Sequence, residues 1–429
     1  MTTKIKQRIE QTRRGEVPEG YCMKRAMLYP MGWGEPTPLN TVLHENTDRN
    51  EKLEYGKEDV LSVSGELGII NQIELLGRSY AGESVAPYHV VETGDVVYTK
   101  SPLKDNPYGI IKQNRGKPGI VSTLYAVYHC DNLITGQYLE NYFSIDSFLN
   151  NYLRPIVKRG AKNDMKVNNE DVLLGTIPLP QIDEQKIINE IISHADHLIR
   201  LKQMLIDELK KLKRACLAKM FPQEGETVPE IRFPGFTAPW EKRMLRDEFA
   251  RRSERNDGSF KKQHWISVAK MYYQSADKVQ SNNIDTRTYI MRKGDIAFEG
   301  HPNADFKYGR FVVNDIGDGI ISELFPIYRH LGEFDIAYWK VAIQKEDIMA
   351  PIIAKAITTS GASSNKLNEE HFLRQFIFVP SMPEQVVIGK FFSCLDSMIS
   401  LYQNQLKQEV QKKKAIMQLL LTGIVRVNQ

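Results

Sequence analysis

Several short motifs in the chain could carry chemistry, but none of the catalytic ones is complete. Gly56-Lys57, Gly116-Lys117 and Gly389-Lys390 each lack the other residues of a phosphate-binding loop, so ATP hydrolysis by this chain is not expected. No GxGxxG sequence follows a strand-like segment, and we predict no cradle for S-adenosylmethionine. Asp105-Asn106-Pro107-Tyr108 approaches the DPPY or NPPY motif of amino-methyltransferases, but its second proline is missing. We interpret this segment as an Asn-Pro turn.

Metal binding and disulfide chemistry are not indicated either. The nine histidines are scattered without the spacing of metal ligands, and none is assigned as one. The four cysteines lie far apart in the sequence and form no CxxC pair. Cys216 and Cys394 occupy apolar positions of helical segments, which favours buried, reduced thiols.

Polar and basic loop residues offer a different chemistry, the binding of nucleic acid. Arg, Lys, Asn and Gln can bond to the edges of guanine or adenine, and Lys and Arg can also neutralise phosphates. The candidates in the first half of the chain are Lys100, Lys104, Asn106, Tyr108, Lys112, Asn114, Arg115, Lys117, Arg159 and Lys162. The candidates in the second half are Arg251, Arg252, Arg255, Lys261, Lys262, His301, Asn303, Lys307, Arg310, Ser363, Asn365 and Lys366.

Two groups among these candidates have an alternative interpretation. The run from Arg251 to Lys262 is the densest basic stretch outside the helices, and it could clamp phosphates or form a solvated surface. Residues 358–366 could be a flexible turn, or a loop whose hydroxyl and N–H groups approach the phosphate backbone; we favour the loop. The net charge of +4 is too small to decide either question.

The elements that position these residues follow from an internal repeat. Gly94-Asp95-Val96 recurs 200 positions later as Gly294-Asp295-Ile296, and Tyr108-Gly109 recurs as Tyr308-Gly309. Short apolar runs alternate with Gly, Pro and Asn, which is typical of mixed short strands and helices. We therefore predict an α+β class with two pseudo-symmetric globular α/β segments, residues 36–176 and 235–376. Their shared turns suggest a common scaffold, and their different loops suggest two different readers.

Each repeat ends in a long helical segment, residues 177–234 and 377–429. Apolar residues spaced three and four apart predict a narrow seam between paired helices. The predicted seam, with a one-residue slip in the second helix, consists of Leu198, Leu205, Leu209, Leu212, Leu395, Ile399, Tyr402, Leu406, Val410 and Met417. An antiparallel pair is predicted, because a parallel pair would force the second globular segment to span a helix about 55 Å long.

Residues 1–35 are predicted to form a basic helical segment that docks near the end of the second long helix. The phrase GEVPE in this segment recurs in similar form after the first long helix, as though the repeat closed into a ring. The chain shows no apolar signal sequence and no run of membrane-spanning length. A cytoplasmic location is therefore expected.

Four motifs together resemble the specificity subunit of a type I restriction–modification system. They are IPLPQIDEQ at the start of the first long helix, VPEIRFPGF with a later Trp240, VPSMPEQ at the second helix, and the final LLLTG. The resemblance implies two variable target-recognition domains separated by a long antiparallel two-helix coiled coil. It also implies a non-catalytic subunit that reads a bipartite, asymmetric DNA site in a system of defence against foreign DNA.

The same resemblance implies partners that carry the catalysis. Two methyltransferase subunits would bind S-adenosylmethionine and methylate adenine, and two nuclease-translocase subunits would bind ATP and Mg²⁺ for restriction. This chain itself is expected to bind double-stranded DNA and no cofactor. Two alternatives stay open: a self-contained DNA methyltransferase or nuclease, and a coiled-coil scaffold that does not bind DNA.

Overall fold

The chain forms two compact units of mixed α and β structure. The computed structural model describes residues 3–24, 27–103, 106–159, 165–223, 225–280, 284, 287–358 and 364–427. Unit 1 comprises Met1–Leu201 with Leu406–Gln429, and unit 2 comprises Lys202–Gln405. The predicted mixed class and two-domain layout are confirmed at this level.

Both units are built from short elements that precede a long helix. The elements up to the end of the first long helix are α1 (Thr3–Arg13), β1 (Tyr21–Lys24), β2 (Met27–Pro30), β3 (Thr37–Pro38), β4 (Leu43–Glu45), β5 (Leu61–Ser64), β6 (Gly68–Asn71), α2 (Gln72–Leu76), β7 (His89–Val91), β8 (Val96–Thr99), β9 (Ile111–Gln113), β10 (Gly119–Val121), β11 (Tyr125–Cys130), α3 (Gly136–Phe143), α4 (Asp146–Leu153), β12 (Lys158–Arg159), β13 (Met165–Lys166), α5 (Asn169–Val172), β14 (Thr176–Ile177) and α6 (Ile182–Lys219).

The second half of the chain largely repeats the order of elements that begins at β3. Its elements are β15 (Glu241–Met244), α7 (Leu245–Glu248), β16 (Phe249–Arg252), β17 (Ile266–Ser267), β18 (Tyr272–Tyr273), β19 (Thr288–Met291), β20 (Ile296–Glu299), β21 (Arg310–Val313), β22 (Gly319–Ser322), β23 (Ile327–His330), α8 (Ile336–Ala342), α9 (Glu346–Ala354), β24 (Ile357–Thr358), β25 (Lys366–Leu367), α10 (Glu369–Leu373), β26 (Phe376–Val379) and α11 (Met382–Leu421).

One antiparallel four-stranded sheet lies at the centre of each unit. Its strand order is β4-β11-β8-β9 in unit 1 and β16-β23-β20-β21 in unit 2. Val96 pairs with Tyr128 in the first sheet, and Ile296 pairs with Tyr328 at the same place in the second. All four residues of β8 are buried, which explains why this strand reads as a continuous apolar run rather than an alternating one.

The main cores form on these sheets. In unit 1 the core combines strand residues such as Tyr98 with Tyr138 of α3, and it continues to Ile188 of α6 and Leu420 of α11. In unit 2 the core is more aromatic, and Trp339 is fully buried within it. It too extends onto both long helices. Each globular part is therefore fixed to the beginning of one long helix and to the end of the other.

The long helices pair through a register that differs from the predicted seam. Leu198, Leu205 and Leu212 are exposed by 51, 40 and 48%, so their assignment to the seam is wrong. Val410, 49% exposed, is also wrong. The other predicted seam residues are buried or half-buried: Leu209, Leu395, Ile399, Tyr402, Leu406 and Met417.

The physical reason is that polar residues occupy inward positions of the helices. In unit 2, Lys202 Nζ donates to Gln405 Oε1 at 2.8 Å, and Lys213 Nζ lies 2.6 Å from Asp396 Oδ1. Because these lysines have polar partners, they can take inward positions. The inward residues of this part of α6, spaced three and four apart, are Lys202, the buried Ile206 and Leu209, and Lys213. The sequence interpretation had instead followed the neighbouring leucines.

The N-terminal segment is less helical than predicted. Helix α1 ends at Arg13, because Gly15 and Gly20 adopt positive φ angles of 77° and 81° and lead into the β1–β2 hairpin. Within unit 1, the hydroxyl of Tyr21 donates to the carbonyl of Gly423 at 2.6 Å. This bond joins the hairpin to the end of α11.

Candidate nucleic-acid interface

A buried ion pair fixes the start of each long helix. Glu184, 3% exposed, accepts from Arg426 Nε at 2.6 Å and Nη2 at 2.7 Å in unit 1. Trp33 Nε1 donates to the same carboxylate at 3.0 Å. In unit 2, Glu384 accepts from Arg232 Nε at 2.8 Å and from its Nη2 at 2.7 Å, so this pair is bidentate as well. Each glutamate belongs to a PxxxEQ motif, residues 180–185 and 380–385, and therefore binds the segment that follows the other long helix.

The glutamine of the motif connects the helix start to the globular part of its unit. Gln185 Nε2 donates to the carbonyls of Leu133 and Pro180 at 2.9 Å, and its Oε1 accepts from the backbone N–H of Thr135 at 3.0 Å. Gln385 makes the corresponding bonds to Pro380 and Asp335. The motif therefore orients the globular part on the helix and offers no reactive group.

A hairpin projects from the central sheet of each unit at the same position. We call the described residues 101–103 and 106–109, between β8 and β9, the first finger, and residues 301–309, between β20 and β21, the second finger. Leu103 N–H donates to Asn106 O at 3.1 Å, and Asn303 N–H donates to Phe306 O at 3.0 Å. The same backbone hydrogen bond therefore closes both fingers.

A glycine closes each finger because no side chain fits there. Gly109 and Gly309 have φ angles of 92° and 90°. A Cβ atom on Gly309 would lie 2.5 Å from the carbonyl oxygen of Glu299, and one on Gly109 would lie even closer to that of Thr99. The Tyr-Gly pair that recurs in the sequence is thus a requirement of the finger's base.

The second finger has a rigid base formed by neighbouring elements. Arg310 Nε donates to Glu299 Oε2 at 3.0 Å across the finger, and its guanidinium lies 5.0 Å from the centre of the Phe306 ring. Asn365 N–H donates to Gly300 O at 2.8 Å, and its Nδ2 donates to Tyr308 O at 3.2 Å. The structure therefore brings together five predicted candidates: His301, Asn303, Lys307, Arg310 and Asn365.

Exposure separates the candidates of this finger by role. The side chains of His301 and Lys307 are exposed, whereas Arg310 is half-buried in its pair with Glu299. The Oδ1 of Asn303 accepts from the N–H groups of Asp305 and Phe306, so Asn303 forms the turn. Asp305, which was not among the predicted candidates, is exposed as well.

The first finger has a related brace. Asn106 Nδ2 donates to Asp146 Oδ1 at 2.9 Å, and in the second finger Lys307 N–H donates to Glu346 Oε1 at 2.9 Å. These acids are the first residues of α4 and α9. Tyr108 is half-buried against the core of unit 1, and burial lowers the pKa of the half-buried Lys100. The candidate Lys104 lies outside the described residues.

Asn114 is a correction to the predicted set. It is 1% exposed, its Nδ2 donates to the carbonyls of Glu92 and Lys117, and its Oδ1 accepts from the N–H of Gly116. The prediction that Asn114 reads a base is therefore wrong. Asn314 is equally buried and bonds in the same way to three carbonyls, so this asparagine shapes a turn in both units.

Other candidates of unit 1 are bound to acids or lie in a turn or a strand outside the first finger. Lys112 and Arg115 both approach Glu140 of α3, at 3.7 and 2.9 Å, and only Arg115 is exposed. Lys117 is exposed in the turn next to Asn114. The backbone of Arg159 lies in β12, paired with Met165, and Lys162 falls outside the described residues.

The basic run of unit 2 is extensively paired. Arg251 is half-buried, donates to the carbonyl of Ile327 at 3.1 Å and lies 3.8 Å from Glu369. Arg255 lies 2.5 Å from Glu323. Arg252 is half-buried and Lys262 donates to Val279 O, whereas Lys261 is exposed. These contacts favour a paired surface over a set of open phosphate clamps. Lys366 is exposed in β25, and Ser363 lies outside the described residues.

Comparison with known proteins finds relatives that cover much of the chain. No protein-family profile matches the chain. It is 24% identical over 371 residues to the putative type I restriction enzyme MjaX specificity subunit of Methanocaldococcus jannaschii, a match that covers 80% of this chain and 81% of that protein. It is 23% identical over 269 residues to the type I restriction enzyme MjaVIII specificity subunit of the same organism.

The chain is similar to type I specificity subunits. The resemblance predicted from the sequence motifs is thus confirmed. The match to the MjaVIII subunit covers 58% of this chain and 62% of that protein, less than two thirds of its length. A solved chain from work on complex assembly and conformational transition of the type I R-M system has the same fold, with a TM-score of 0.52 at 15% identity. That likeness covers 96% of this chain and 100% of the other.

The described part of the chain shows neither a membrane-spanning helix nor a cluster of metal ligands. None of its helices combines the length and apolar character needed to cross a membrane. No group of three or more His, Cys, Asp and Glu side chains is arranged there to hold a metal ion.

Proposed function

We propose that this chain is the DNA-recognition subunit of a type I restriction–modification complex. The observation that carries the proposal is the pair of fingers, which share one backbone hydrogen bond, one closing glycine and one acidic brace but expose different side chains. Common frames with different tips are suited to reading two different short sequences. The similarity to type I specificity subunits supports the same function.

Each unit would read one half of a bipartite site. Because the exposed residues of the two fingers differ, the two halves would have different sequences and the whole site would be asymmetric. Exposed lysines such as Lys117, Lys261 and Lys366 would bind phosphates and add affinity without sequence information.

The long helices would set the distance between the halves. We propose that α6 and α11, of 38 and 40 residues, form one antiparallel coiled coil, with a length of about 57 to 60 Å. The pairs Lys213–Asp396 and Asp196–Lys413 would fix its register. Deleting matched turns from both helices should shorten the unspecified gap in the recognised site and leave both half-sites unchanged. An unchanged gap would contradict this role.

Catalysis would belong to partner subunits. The repeat gives the chain two related surfaces, which would suit two methyltransferase subunits that bind S-adenosylmethionine, and two nuclease-translocase subunits would supply ATP- and Mg²⁺-dependent cleavage. The chain would remain in the cytoplasm with its DNA and would bind no cofactor itself.

The decisive experiment is methylation mapping with the purified chain and its methyltransferase partner. The complex should methylate adenine at one bipartite, asymmetric site, and the chain alone should transfer no methyl groups. Methyl transfer by the chain alone would indicate a self-contained methyltransferase. If the complex leaves no salt-dependent footprint on DNA, the chain is a scaffold and the proposal is wrong.

A further inference from the structure

The two fingers differ in sequence while their frames agree. Pro102, Tyr108 and Gly109 of the first finger recur as Pro302, Tyr308 and Gly309 in the second. The other positions differ: residues 101–107 read SPLKDNP, and residues 301–307 read HPNADFK. Because hydrogen bonds already fix the backbone of each finger, its tip loses little entropy when it contacts a ligand. A changed side chain at the tip should therefore directly change which ligand the finger prefers.

The two tips present different chemistry at matched positions. Leu103 of the first finger is 42% exposed, an isobutyl group held outward on a turn. The matched residue of the second finger is Asn303, whose Oδ1 is engaged in the turn, and beside it His301 exposes an imidazole. An apolar tip suits the methyl group of thymine, whereas an imidazole can donate to or accept from a base edge.

We propose that the finger tips determine which bases the chain reads: Leu103 contacts the methyl group of a thymine in the half-site of unit 1, and His301 hydrogen-bonds a base edge in the half-site of unit 2. This inference rests on the proposed function and specifies it. It assigns no base contact to Arg251 of β16, which lies 3.8 Å from Glu369.

The thymine contact has a direct chemical test, because deoxyuridine lacks only the methyl group. Once the site has been mapped, each thymine in the half-site of unit 1 is replaced by deoxyuridine and binding by the complex is measured. One such replacement should weaken wild-type binding by about five- to tenfold and should have little effect on the Leu103→Ala variant. Leu133→Ala is the matched control, since Leu133 is 63% exposed in the connection between β11 and α3.

If every deoxyuridine replacement affects Leu103→Ala as it affects the wild type, Leu103 does not contact a thymine methyl group. The same conclusion follows if no replacement weakens binding. Loss of the difference in Leu133→Ala as well as in Leu103→Ala would also contradict the contact, because the effect would then be indirect.

A transplant within the chain tests the second finger. Residues 301–307 are replaced by the sequence of residues 101–107, which the shared frame should accommodate. Methylation mapping should show a changed base preference in one half-site only. The control exchanges Leu331–Glu333 for the sequence of residues 131–133. This loop lies away from the second finger, because the neighbouring Phe334 packs on Gly294, before β20 begins, whereas the finger follows the end of β20.

The single variant His301→Ala should lose discrimination at one base position by about tenfold or more. It should not change the dependence of binding on salt, whereas Lys307→Met should lower affinity for all sequences and reduce the salt slope. An unchanged half-site in both the transplant and His301→Ala would refute the role of the second finger. A wild-type complex that recognises no specific site would instead refute the proposed function.

Discussion

Arg426 makes two hydrogen bonds to the buried carboxylate of Glu184, a residue 242 positions earlier in the chain. The arginine follows the second long helix and the glutamate begins the first. The same relationship recurs between Arg232 and Glu384 in the other unit. Two equivalent clamps therefore join the ends of the repeat, and they explain why the PxxxEQ motif occurs at both helix starts.

Removing one arginine should expose the energetic role of this clamp. Arg426→Met leaves Glu184 buried with Trp33 as its remaining side-chain donor among the described residues, and we expect a loss of about 3–5 kcal/mol in the stability of unit 1. Hydrogen exchange should show the loss in that unit. The double variant Arg426→Met, Glu184→Leu should lose less, because no buried charge is then left unpaired. Equal losses would contradict the clamp.

The buried His330 predicts a pH-dependent stability of unit 2. It lies against Phe334, with ring centres 3.8 Å apart, and burial lowers its pKa to about 3. Because the unfolded chain binds a proton near pH 6.5 and the folded unit does not, this contribution to stability is present above pH 6.5 and is lost as the pH falls below it. Between pH 6.5 and 5 the loss should be about 2 kcal/mol.

Urea unfolding followed in unit 2 at both pH values measures this effect. The variant His330→Phe keeps an aromatic ring in the core and should flatten the pH dependence by most of that amount. A variant with the same slope as the wild type would show that other groups carry it.

The closing glycine of the second finger should not tolerate a side chain. Gly309→Ala combines a φ of 90° with a clash against the carbonyl of Glu299, at an expected cost of about 1–3 kcal/mol. Recognition of one half-site should weaken in methylation mapping while the other half is retained. Gly332→Ala is the control, since no atom lies within 4 Å of its added Cβ. Similar behaviour of both variants would argue against a rigid finger.

Charge reversal tests the register of the long helices. Lys213→Asp would face Asp396 across the helix pair in unit 2, and we expect a loss of about 1 kcal/mol that diminishes at high salt. The added change Asp396→Lys should restore most of the lost stability. Lys210→Asp, on the exposed face, should have little effect. A double variant no more stable than Lys213→Asp would show that the two residues do not interact.

The sequence predicted the repeat because turns and helix starts depend on residue types such as the Tyr-Gly pair and Pro180. It did not predict the register of the long helices. Lys202 and Lys213 occupy inward positions because each has a polar partner on α11, which lies far away in the sequence. Asn114 was misassigned for a similar reason. An asparagine that bonds to base edges and one that bonds to backbone carbonyls look alike until burial is known.

Independent reading by the two units is the central claim, and a domain exchange tests it most directly. Residues 235–376 are replaced by the matching domain of a type I specificity subunit, and the methylated sites of the complex are mapped. The account predicts that one half-site changes, while the other half-site and the length of the gap stay as in the wild type. A change in both half-sites, or in neither, would contradict it.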